Sequence, residues 1–270
     1  MLRSVFGKTI RDYRRSIMWW SVGFIALAAY MIALFPTVRD NPAMQELGRA
    51  KLEVMQGLIG SLADFASPSG YLTAGLFSLM LPMMFLFFTI AMGANAIGGE
   101  EERKTIDLLL ANPISRSRIV LEKWGAMTLL TLLLASVTLL AFAIGGPSVE
   151  LIGERFSIGN LVAGLVSVIL LSLFFGTLAL AVGAATGSRT LALSVAAGLA
   201  LVNYLVKTMA GNVESMDTLQ RFLPLYYYLS DDSNPLQQGF NAVHAAVLLT
   251  GVGIFLAVAL FAFQRRDVAV

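Results

Sequence analysis

The chain has 270 residues, 57% of them hydrophobic and only 13% charged, against roughly 25% charged in an average soluble domain. A net charge of +2 and apolar residues gathered into long blocks argue against a nucleic-acid binder and for the bilayer as the main solvent. The lack of cysteine excludes disulfides and thiolate metal sites, and the single histidine, His244, excludes an imidazole cluster.

In chain order, Met1 to Ser16 sets Leu2, Val5, Phe6, Ile10 and Tyr13 on one side and Arg11, Arg14 and Arg15 on the other. That pattern reads either as an interfacial elbow helix or as a plain basic anchor. The apolar run from Ile17 to Phe35 exceeds the roughly 7–15 residues of a secretory signal core, and no small-x-small cleavage site follows it. It is therefore read as an uncleaved first span, with Trp19 and Trp20 at its boundary. Crossing a hydrocarbon core of about 30 Å takes about 20 mainly apolar residues in a helix. The further segments that qualify are Tyr71 to Ile97, Ile119 to Ile144, Asn160 to Thr186, Thr190 to Met209 and Asn241 to Phe263. The expected fold is an all-α integral membrane protein, one transmembrane domain with six helices, because an open strand would leave backbone groups unpaired in lipid.

Basic residues set the expected orientation. Arg3, Lys8, Arg11, Arg14, Arg15, Arg103, Lys104, Arg116, Arg118, Lys123, Arg189, Arg265 and Arg266 all fall on the side of the N-terminus. Only Arg39, Arg49, Lys51, Arg155, Lys207 and Arg221 fall on the other. The positive-inside rule then predicts a multi-pass protein of the plasma (inner) membrane with both termini cytoplasmic. On the outer side, residues 36–70 place Met44, Leu47, Val54, Met55, Leu58, Leu62 and Phe65 near helical spacing, predicting an amphipathic helix that serves as a cover or as a substrate gate. Leu223 to Tyr228 concentrates tyrosines behind a proline and predicts a re-entrant or interface-parallel segment before the last span.

Polar residues within spans carry a functional expectation by default. Asn95 and Asn203 are candidates to line a pathway or to glue helices together, whereas Lys207, Asn241 and His244 lie near span ends. Pro82 predicts a kink in span two. Gly183 and Gly187 form a small-xxx-small pair that permits close packing.

After span two comes Glu100-Glu101-Glu102-Arg103-Lys104. Charges of this kind cost about 3 kcal/mol each at a helix centre, so the run marks a membrane boundary. Beyond it, Thr105 to Ala111 is a short helix-capable stretch with Ile106, Leu109 and Leu110 on one side, stopped by Asn112-Pro113. Its apolar face suits either a protein partner or the lipid surface.

The run from Gly99 through Thr105 and Asp107 to Arg116, followed by Glu122-Lys123, resembles the first cytoplasmic loop of type-2 ATP-binding-cassette exporter permeases. That family has an acidic cluster, Gly-Thr-Leu, a Leu-Leu pair, Pro-[Val/Ile]-Ser-Arg and a downstream Lys. Here Lys104 and Ile106 replace the Gly and Leu around Thr105. The resemblance implies that residues 98–118 form a coupling loop that docks on a separate nucleotide-binding ATPase subunit. Its contact residues would be Glu100, Glu101, Glu102, Arg103, Thr105, Asp107, Leu109, Leu110 and Arg116. It also implies a second permease copy, an export direction, contact with membrane lipid, and ATP and Mg held on the partner. No cofactor is expected in this chain. A phosphate loop requires Gly-x4-Gly-Lys-[Ser/Thr], and the one Gly-Lys pair, Gly7-Lys8, has Leu2 where the first glycine belongs. The competing readings are an intramembrane enzyme, for which no catalytic motif is found, and a secondary transporter, for which mid-span carboxylates are missing.

Overall fold

The computed structural model describes residues 4–41, 67–106, 114–153, 156–210, 214–230 and 233–266. Among these residues, six helices are long and apolar enough to cross a membrane. Span one is α1 (Val5–Arg39). Span two comprises α2 (Pro68–Leu72), a π-helical turn (Thr73–Phe77) and α3 (Met80–Ala96). The short α4 (Gly98–Glu102) precedes span three, α5 (Arg116–Gly145), which a 3-10 turn extends to Val149. Span four is α6 (Ile158–Thr186), span five α7 (Arg189–Ala210) and span six α11 (Ala242–Arg265). Between the last two lie α8 (Glu214–Gln220), α9 (Pro224–Tyr228) and α10 (Pro235–Gln238). All six expected spans are present, and the described residues contain only isolated β-bridges.

Span one begins earlier than its apolar run. The expected elbow and span one form one uninterrupted helix, because neither glycine nor proline interrupts the sequence from Lys8 to Val22. The amphipathic outer helix expected in residues 36–70 falls mostly on residues 42–66, outside the described residues.

Span four is the central post, with 72% of its apolar window buried, against 22% for spans one, five and six. Its small residues explain the position. At the crossing with span two, a Cβ on Gly93 would run into the Gly176 carbonyl, and one on Gly176 would meet Thr89 and Met127 at 2.9 and 3.0 Å. Two backbones thus touch where neither residue has a side chain, the close approach that small residues allow in membranes. Buried hydroxyls bond back to their own helices, as Thr89 does to Phe85 O at 2.9 Å and Thr131 to Met127 O at 2.8 Å.

The break in span two lies at Ser78–Leu79, ahead of Pro82. Proline there is the third residue of α3, in the first turn, where its missing N–H leaves no hydrogen bond unmade. The π turn is closed by Ser78 N–H donating to Thr73 O at 2.8 Å. Two more of its polar groups are met by the segment between spans five and six. The Tyr228 hydroxyl donates to Phe77 O at 2.7 Å, and the Asn234 amide donates to Thr73 Oγ1 at 3.1 Å. Leu225, Tyr228, Leu229 and Leu236 are buried; the expected tyrosine-rich segment packs onto spans four and six and is tied to span two by the Tyr228 hydroxyl.

Candidate functional site

Span two ends in Ile97-Gly98-Gly99 because the chain must pass close to the start of span five. A Cβ on Gly98 would lie 2.7 Å from Arg189 N, and one on Gly99 would lie 2.7 Å from Asn95 Oδ1. The chain then makes the single turn of α4 and closes it with a Schellman pair, Lys104 N–H to Glu101 O and Thr105 N–H to Glu100 O, both 2.9 Å. This closure needs a left-handed residue, and Lys104 takes φ 56°. The position is the one where the resembling family carries glycine, so the departure is absorbed as backbone strain of about 1–2 kcal/mol.

The turn fans its three carboxylates towards three different spans. Glu100 meets the buried Lys123 of span three at 2.7 Å and also accepts from the Thr105 hydroxyl. Glu101 pairs with Arg266 at the end of span six, and the same guanidinium donates to Ala184 O of span four. Glu102 accepts from Arg189 N–H at 2.8 Å and Thr190 N–H at 3.2 Å, capping span five at its positive dipole end. Span one is held similarly from span three, where Glu122 accepts from Phe6 N–H at 2.9 Å. Arg116 closes the ring by donating to Phe263 O at 3.0 Å and to Arg266 O. Beneath these polar ties Val5, Ile97, Ile119, Val120, Leu180, Ala184 and Phe263 form an apolar layer.

Burial alone would push the Glu100 carboxyl up. The charge and hydrogen bond of Lys123, the Thr105 hydroxyl and the charge of Lys8 outweigh it and hold the group below the usual carboxylate value. At Gly187, which closes span four with φ 71°, any side chain would collide with Arg266 and Glu101. The glycine is thus required by both conformation and space.

Among the expected site residues, Glu100, Glu101, Glu102, Thr105 and Arg116 come together here, and Asn95 joins them through Arg103, 3.4 Å away. Asp107, Leu109 and Leu110 lie outside the described residues. Asn203 sits apart on span five, its amide donating to Leu199 O at 2.8 Å and its buried Oδ1 meeting no donor among the described residues. Ile106, expected on an apolar face open to a partner or to lipid, is instead 2% exposed inside the bundle. Arg266 and Lys8 were legible only as topology markers. The Lys123 partnership has a sequence signal in the downstream Glu-Lys of the resembling family, but the pairing itself needs the fold.

Among the described residues, six apolar helices, one of them the central post, define a multi-pass integral membrane protein. A family model described as ABC-2 family transporter protein matches residues 3–268, and the chain belongs to that family. No curated protein matches it. It is therefore a permease-type transport component, and its family pairs in general with an ATP-binding-cassette ATPase.

Proposed function

We propose that this chain is half of the translocation unit of an ATP-driven exporter. It lies in the plasma (inner) membrane with both termini cytoplasmic and pairs with a second permease copy. Residues 98–118 dock on a separate nucleotide-binding subunit that holds ATP and Mg. The observation that carries the reading is the fan of Glu100, Glu101 and Glu102, which ties one short turn to spans three, six and five. A partner that tilts this turn biases several spans at once, as a two-state transporter requires of its motor contact.

The test is Glu101→Ala combined with Leu109→Ala in the reconstituted complex. The expected outcome is normal insertion and continued ATP hydrolysis with transport reduced to background. Wild-type coupling of hydrolysis to transport in that variant refutes the docking assignment. Inside-out vesicles that accumulate substrate on ATP addition support export.

A further inference from the structure

Beside the hub, α1 and the end of span two diverge and leave a cavity of about 260 Å³, lined by Thr9, Asp12, Tyr13, Ser16, Asn95 and Arg103, among others. Thr9, Tyr13, Ser16 and Trp20 are spaced four, seven and eleven residues along α1 and so share one face. Trp20 ends that stripe by packing edge-on against Phe88 of span two, with ring centroids 5.9 Å apart. Met92 and Ala96 of span two add an apolar wall, and the cavity's polar residues lie at the charged end of the bundle.

The electrostatics of the cavity have two poles. Arg103 and Lys123 line it, Lys8 lies within electrostatic range of Glu100 and Lys123, and Arg189 within range of Tyr13. Of the four charged residues that line the cavity, Lys123 and Glu100 neutralise each other, and Glu102 sits at Arg189 N–H, which leaves Arg103 and Asp12 as its two poles. Asp12 is exposed and has no hydrogen bond or ion pair among the described residues. The Arg103 guanidinium and the Asp12 carboxylate, both lining the cavity, complement a ligand that carries an anion and an ammonium together. The volume falls just under the roughly 300–1,000 Å³ of drug-sized pockets, which suits a headgroup and not a whole amphiphile.

We propose that this cavity binds a phosphoethanolamine group, with the phosphate facing Arg103 and its neighbouring cations and the ammonium facing Asp12. In the orientation proposed above, it lies at the cytoplasmic leaflet, where aminophospholipids supply that group. Free phosphoethanolamine would supply the same chemistry from solution.

Native mass spectrometry of the detergent-purified chain can test this with phosphatidylethanolamine, phosphatidylcholine and phosphatidylglycerol, each added alone, and with O-phosphoethanolamine as a soluble competitor. Expected is preferential retention of phosphatidylethanolamine, a roughly tenfold loss of that preference in Asp12→Asn, and loss of all phospholipid retention in Arg103→Gln. Asp40→Asn, at the opposite end of α1, leaves retention unchanged. Thermal unfolding of each variant establishes that it is folded. Displacement of the lipid by millimolar O-phosphoethanolamine assigns the site to the soluble source, and failure to displace assigns it to the leaflet. Equal retention of the three lipids, or an Asp12→Asn variant that keeps the wild-type preference, overturns the proposal. None of these readouts needs an ATPase partner, so the result stands apart from the coupling reading.

Discussion

Replacing Lys123 by methionine keeps most of the side-chain volume and removes the cation that faces Glu100. At 2.7 Å and an effective dielectric of about 20, the pair attracts by about 6 kcal/mol, before desolvation offsets most of it. Deleting one partner of a buried pair costs about 3–5 kcal/mol. The Glu100 side chain is 16% exposed and keeps its Thr105 hydrogen bond. The expected cost is therefore at or below the low end, about 2–3 kcal/mol, which corresponds to a fall in melting temperature of about 5 °C or more. Adding Glu100→Gln neutralises the stranded charge and returns stability to within about 1 kcal/mol of wild type. The sign of the pH response separates the variants. In the wild type the Glu100 carboxyl is held low, so its contribution is present at neutral pH and is lost as the pH falls through the folded-state value. In Lys123→Met, burial is opposed only by the Thr105 hydroxyl and the charge of Lys8, so the carboxyl rises and acidification from neutral pH restores stability. Thermal unfolding in detergent followed across pH 4 to 8 reads both effects. A Lys123→Met protein as stable as wild type at neutral pH, or one weakened further by mild acid, would refute the reasoning.

Gly93→Ala forces a Cβ into the Gly176 carbonyl and is expected to cost about 2–3 kcal/mol, whereas Gly198→Ala, with nothing within 4 Å, leaves the melting temperature within a degree or so of wild type. Glu102→Ala removes the cap of span five and should destabilise by about 1 kcal/mol, visible as faster amide exchange at residues 189 and 190. Lys104→Gly relieves the left-handed strain and is expected to stabilise by about 0.5–1 kcal/mol in the same unfolding assay. Tyr228→Phe leaves Phe77 O without its donor and should cost about 0.5–1.5 kcal/mol, with increased exchange around the π turn.

Much of the architecture was readable from hydropathy, because apolar length is a local property and each span carries its own signal. The boundary at Glu100 was equally plain, since five adjacent charges cannot enter hydrocarbon. The destinations of those charges were not readable. Nothing near Glu101 in the chain announces that its partner is Arg266, 165 positions away, and a pairing of that kind exists only once four helices have been bundled. The Gly183/Gly187 pair drew attention through its motif spacing, yet the tight crossing uses Gly93 and Gly176, which belong to different helices and form no local pattern. Pro82 pointed to the right place in span two, since the break at Ser78–Leu79 falls one turn before it, where a proline cannot supply the N–H of an i→i−4 hydrogen bond.

The π turn at Thr73–Phe77 also fixes the rotational setting of everything that follows it. A π turn holds an extra residue relative to an α turn, and each residue of an α-helix advances the face by about 100°. Deleting one residue between positions 73 and 77 would take the extra residue out of the turn and swing the second half of span two by about that angle. Gly93 would then turn away from Gly176, and the three glutamates would face new neighbours about 40 Å along the helix axis. The length of a single turn at one end of the bundle thus decides which charges can meet at the other.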